Sequence, residues 1–172
     1  MKKHAKQNNK LLPVAVSVCA VAVIAVITMV VVLCMPKEQQ GDFIPPAFES
    51  NAVSGTPTVD IELGYSEIYQ EGMNFRAWVC GNVTLTGKNA NVYFTNPDEN
   101  EVWMKLRISD EAGNILGESG ILKPGEYVKA VELSKAIAIG TRVHLKIMTY
   151  EPETYYSSGA VGLITQIGGI TG

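Results

Sequence analysis

Few side chains in this sequence are of a type and spacing that do chemistry. Asp98, Glu99, Asn100 and Glu101, in the stretch NPDENE, offer oxygen donors of the kind that hold calcium, but without EF-hand spacing. Loops between strands are commonly acidic for solubility, and that is the reading adopted for this turn. The two histidines, His4 and His144, are far apart and no cysteine stands near either, so no zinc set and no other metal site is expected. Cys80 and His144 would make a nucleophile–base dyad only if the fold joined them, and no G-x-S-x-G elbow frames any serine. Glu151 and Glu153 alternate in TYEPETYYS, as two carboxylates of a glycosidase pair might on an extended segment, yet a domain of this size promises no deep cleft around them. Gly117, Gly120 and Gly125 in ILGESGILKPGEYVKAV match neither the spacing nor the strand-to-helix setting of a phosphate-binding loop. Pro124-Gly125 instead fits a type II turn, with Pro fixing φ and Gly supplying a positive φ after it.

What remains is aromatic. Trp103 falls on the polar side of its segment, and Tyr150, Tyr155 and Tyr156 cluster around Pro152, beside acids. Tyr65 and Tyr69 add two more rings in ELGYSEIYQ. Flat, amphipathic rings of this kind suit contact with a peptide or a sugar, and they also serve as edge packing in β proteins. Trp103, Tyr150, Tyr155 and Tyr156 are therefore the candidate contact surface. No catalytic residue and no cofactor is expected.

The elements that must carry these residues read as strands. In VWMKLRIS, Val102, Met104, Leu106 and Ile108 alternate with Trp103, Lys105 and Arg107; in TRVHLKIMTY, Val143, Leu145 and Ile147 alternate with Arg142, His144 and Lys146. This is the period of a sheet with one buried face. VCGNVTL, NVYFTN, part of GILGESGIL, EYVKAVEL and AVGLITQI are further strands, divided by Asn96-Pro97-Asp98, Ala112-Gly113-Asn114, Lys123-Pro124-Gly125-Glu126 and Ile139-Gly140. A turn of helix is expected near Glu67 to Glu71. The fold expected is all-β, a single antiparallel immunoglobulin-like sandwich of seven or eight strands over residues 59–172.

The N-terminal quarter differs. Leu11 to Met35 is 25 residues without a charge. As a helix it would reach roughly 37 Å, enough for a hydrocarbon core of about 30 Å. Lys2, Lys3, Lys6 and Lys10 precede it with no acid among them, which sets residues 1–10 in the cytoplasm and the rest outside. The run is too long for an ordinary secretion signal and lacks an A-x-A site, so a single-pass anchor at the cell membrane is the reading adopted. Cleavage or lipidation at Cys34 would leave the same domain outside. Residues 36–58, with Pro45-Pro46, Gly41 and Gly55, form a spacer. Phe43, Ile44 and Phe48 are apolar for a spacer and suit folding back onto the domain. Cys80 is the lone cysteine of the outer part, so no internal disulfide is expected there. After the span, ten basic residues face seventeen acidic ones, a formal −7 that disfavours nucleic acid.

PPAFESNAVSGTP, NVYFTNPDENEVWMKLRISDEAGNILGESGILKPGEYVKAVEL and LKIMTYEPETYYSSGAV resemble a family of small membrane-anchored β-sandwich envelope proteins of Gram-positive gut bacteria (Firmicutes). The likeness runs from about Pro45 to the end and implies anchor, spacer and one sandwich. No activity goes with that family, so no residue role carries over. A fainter likeness, in the TNP strand end and the following L-K-P-G-E hairpin, is to β-sandwich modules of the intracellular-proteinase-inhibitor type, and implies fold alone. Together these readings make the chain a non-enzymatic extracytoplasmic interaction or structural module, an accessory of a larger envelope or transfer apparatus, with a protein or glycan partner at the cell surface. The alternatives are a glycan- or peptide-binding domain and a protease inhibitor. Protease added to intact cells should remove everything after the spacer; survival of the full-length chain under conditions that shave other surface proteins would contradict the orientation.

Overall fold

The computed structural model describes residues 43–168 and Met29. The basic tail, the apolar span, Cys34 and the start of the spacer lie outside the described residues apart from Met29. Among the described residues no helix is long and apolar enough to cross a membrane.

From residue 53 to residue 168 the chain is all-β. Its strands are β1 (Val53–Ser54), β2 (Tyr65–Ile68), β3 (Ala77–Cys80), β4 (Val83–Thr86), β5 (Asn89–Asn96), β6 (Trp103–Ser109), β7 (Ile115–Glu118), β8 (Glu126–Glu132), β9 (Arg142–Tyr150) and β10 (Ser157–Gly168). They form one curled sheet in the order β1-β8-β5-β4-β10-β9-β6-β7, with β3 also paired to β5, and β2 to β3. All pairings between these strands are antiparallel except the end of β10, where Ile167 and Gly168 run parallel to Val83 and Thr84. That parallel step joins the β10-β9-β6-β7 run to β4 and the rest of the sheet.

Period-two patterning does what the sequence analysis expected of it. Val102, Met104, Leu106 and Ile108 are buried, as are Val143, Leu145 and Ile147, and they share one interior with Ala77, Val79, Val92, Phe94, Val128 and Val131. β6 and β9 pair along their length, from Trp103 opposite Tyr150 to Ser109 opposite His144. Among the described residues ten strands replace the seven or eight expected. VCGNVTL is not one strand: Gly81-Asn82 breaks it into β3 and β4, whose backbone amides turn instead to the carbonyls of Gly64 and Leu63. Tyr65–Ile68, expected near a helical turn, pairs with β3 as a strand. The helical turn falls earlier, as a 3-10 turn over Ile61–Leu63, because the Asp60 carboxylate caps the Glu62 amide and Gly64 ends it in the left-handed region. Lys123-Pro124-Gly125-Glu126 is the type II turn expected, with Gly125 at φ 77° and the Glu126 amide donating to the Lys123 carbonyl.

The compact unit begins at Pro45, and so takes in the part of the expected spacer from Pro45 to residue 58. Phe48 bridges in parallel to Ile121, the Glu49 amide donates to the Ile121 carbonyl, and the Ile121 amide donates to Ala47. The Glu49 carboxylate accepts from the Gly120 amide at 2.6 Å. Val53 and Ser54 then add an edge strand to β8. The physical reason is Gly120: a Cβ there would stand 2.5 Å from the Glu49 backbone, so only glycine lets this strap lie down. On the outer side of β6, Glu118 holds both Lys105 and Arg107. Burial alone would raise the Glu118 pKa, but these two cations outweigh it and the net shift is downward.

Gly120→Ala should destabilise the chain by about 1–3 kcal/mol, because the clash is with backbone that cannot swing aside. Urea denaturation checks this, and a midpoint unchanged from wild type would mean the strap is not held as described.

Candidate functional site

Three of the four predicted contact residues meet at the end of the sheet where residues 97–102, 119–125 and 151–156 turn. Trp103 opens β6 and lies opposite Tyr150 on β9. Its ring meets Phe48 edge-on at 4.9 Å between centroids and Tyr155 at 5.2 Å. Lys123 places its ammonium 4.7 Å over the Phe48 ring. Trp103 is thus half-buried between the strap and the β9–β10 turn, a seal over the outer face of β6 rather than an open platform. Glu153 and Tyr155 both take positive φ, 67° and 58°, in that turn. Left-handed backbone costs an ordinary residue about 1–2 kcal/mol, which the packing of Tyr155 on Trp103 offsets. Tyr156 alone stays outside the cluster, 71% exposed.

The other sequence candidates separate. Cys80 closes β3 fully buried, while His144 stands half-buried on β9 in a different strand group. Burial pushes the Cys80 thiol up to about 11, the reverse of what a nucleophile needs. Glu151 and Glu153 are both exposed, the former accepting from the Thr154 hydroxyl. In the acidic turn, Asn100 is committed inward. Its carboxamide donates to the Arg76 carbonyl and to Asn96 Oδ1 and accepts from the Arg76 amide, at 2.7, 2.7 and 2.9 Å. Asn96 in turn donates to the carbonyls of Val102 and Leu122. Both carboxamides are buried, and no buried side-chain polar atom among the described residues lacks a partner. No group of three or more potential metal ligands occurs among the described residues.

This pair of amides fixes the turn that rims a cleft the sequence reading did not anticipate. The cleft has a volume of about 480 Å³ and is lined by Tyr65, Trp78, Thr95, Asp98, Glu99 and the backbone of Gly55 and Gly125, among others. Its floor is made by register. Trp78 lies opposite Thr95 across β3 and β5, and Thr95 opposite Tyr127 across β5 and β8, so these residues share the outer face. Tyr65, on β2, tilts over Trp78 with centroids 5.5 Å apart. The Thr95 hydroxyl donates to the Tyr93 carbonyl, so the Tyr65 hydroxyl is the donor in its 2.7 Å bond to Thr95. Burial raises the Tyr65 pKa, against the opposing effect of that bond, so the phenol stays protonated. Asp98 and Glu99 project from the rim, exposed, and neither has an ion pair among the described residues, whereas Glu67, Glu111 and Glu118 each do.

Tyr65 was among the aromatics read from sequence; Trp78 was missed. Its signal was present in FRAWVC, where buried Phe75, Ala77 and Val79 leave Trp78 facing out. Comparison of the chain with family models, with curated proteins and with solved structures gives no match.

Trp103→Ala should cost about 2–4 kcal/mol, as expected for removing a large packed ring, while Tyr156→Ala should stay within about 0.5 kcal/mol. Thermal unfolding of both variants checks the contrast, and equal effects would show that Trp103 is not a seal.

Proposed function

We propose that this chain is a non-enzymatic interaction module, displayed outside the cell membrane on a single N-terminal span, that takes its ligand in the Tyr65–Trp78 cleft. We read its curled sheet as an immunoglobulin-like sandwich, with β6, β7, β9 and β10 as one layer and the other strands as the second. The interior shared by side chains of both groups supports that reading. The family likeness to membrane-anchored envelope proteins belongs to the same proposal, as does the cytoplasmic placement of residues 1–10.

One observation carries it: an open cleft whose floor is a fixed aromatic pair and whose rim carries two carboxylates without ion pairs among the described residues. Aromatic faces and a few placed polar groups are what a binding pocket needs, and about 300–1,000 Å³ is the usual range for one. The flat ring faces hold a ligand through contact area, and the carboxylates select among ligands by charge. No bond need be made or broken. The predicted surface around Trp103 contributes differently: it locks the strap and the 151–156 turn, and through them the end of the sheet on which the cleft opens.

A photo-reactive side chain placed at Thr56, an exposed lining residue, should label an envelope component in intact cells, and the labelling should disappear when Trp78→Ala is added. The same group placed at Glu132, away from the cleft, should label nothing in common. Labelling from Thr56 that survives Trp78→Ala would contradict the assignment.

A further inference from the structure

We propose that the cleft receives an arginine side chain presented by an extended basic segment of a partner protein. This rests on the cleft being the binding site, and adds the chemistry of what enters it. Three features point to a guanidinium. The first is the floor: a tryptophan face flanked by a tyrosine at 5.5 Å, which a planar, weakly hydrated cation covers well. The second is the rim. Asp98 and Glu99 hold two negative charges beside that floor with no ion-pair partner among the described residues, while Lys105, Arg107, Arg76 and Arg142 are each engaged elsewhere. A guanidinium stacked on Trp78 has donors left at its edge for a carboxylate in a two-pronged bond. The third is scale and field. A volume of about 480 Å³ exceeds what an ammonium head fills and accommodates a long side chain with its flanking backbone. From residue 45 onward nine basic residues face fifteen acidic ones, a field that draws basic segments in and turns anionic polymers away. A neutral sugar would use the ring faces but leave the carboxylates without a counter-charge.

The test uses the full chain in detergent micelles, read by calorimetry and by tryptophan fluorescence. The probes are a blocked pentapeptide with three arginines, the same peptide with citrulline in their place, and chitotetraose. The arginine peptide should bind saturably, more weakly as salt rises, and at least tenfold more tightly than the citrulline peptide. Asp98→Asn with Glu99→Gln, both exposed, should leave the unfolding temperature unchanged and weaken binding at least tenfold. Trp78→Ala should abolish it. Equal binding of arginine and citrulline peptides, an unaffected double variant, or no saturable binding would overturn the proposal. Binding of chitotetraose without the arginine peptide would also overturn it, yet leave the interaction-module reading standing. That reading falls instead with Thr56 labelling that ignores Trp78.

Discussion

Two buried carboxamides, Asn96 and Asn100, hold the working end of this molecule together. Asn96 is fully buried at the end of β5, and Asn100 nearly so four residues later. Between them they bond Val102, Leu122 and both polar backbone groups of Arg76, so three segments of chain, around residues 76, 96–102 and 122, converge on one pair. Each bond contributes about 1 kcal/mol net, but a buried carbonyl left without its donor costs about 1–3 kcal/mol. The pair is therefore hard to lose piecemeal. Pro97, Asp98 and Glu99 are the residues looped out between the two amides, so the acidic rim of the cleft has little freedom to move relative to the β5 strand that carries Thr95.

The aromatic residues divide into two jobs. Around Trp103 they pack: Phe48 from the strap and Tyr155 from a strained turn close on it from two sides. Around Trp78 they are left open to solvent on one side, with Tyr65 anchored through Thr95. The first group costs backbone strain at Glu153 and Tyr155 and a glycine at position 120; the second leaves apolar surface and unpaired charge in water. A module that only needed stability would not require the second arrangement, and this contrast is what favours binding at the cleft over a purely structural role.

Much of the strand pattern was legible in the sequence because burial of one face writes a period of two. VWMKLRIS and TRVHLKIMTY show it plainly, and the turns expected at Gly113 and Gly125 carry positive φ. What was not legible depended on long-range pairing. Gly81-Asn82 looks like any polar dipeptide until the 60–64 turn is seen to take its amides. Phe48 looked like an odd residue in a spacer, and its fate was decided by Gly120, seventy-two residues away. Trp103 was legible as outward-facing but not as covered, since the cover comes from two distant segments. Asn100 read as an oxygen donor for a cation because nothing in NPDENE shows that its carboxamide points inward to Arg76. The cleft itself follows from the register of β2, β3, β5 and β8, which no local pattern encodes.

The most direct test of the amide clamp is hydrogen exchange at the side-chain NH2 groups of Asn96 and Asn100, followed by NMR on the full chain transferred to deuterated water. Bonded and buried as described, both should stay protonated long after the exposed Asn114 has exchanged. If they exchange as quickly as Asn114, the turn between them is not held and the cleft has no fixed rim.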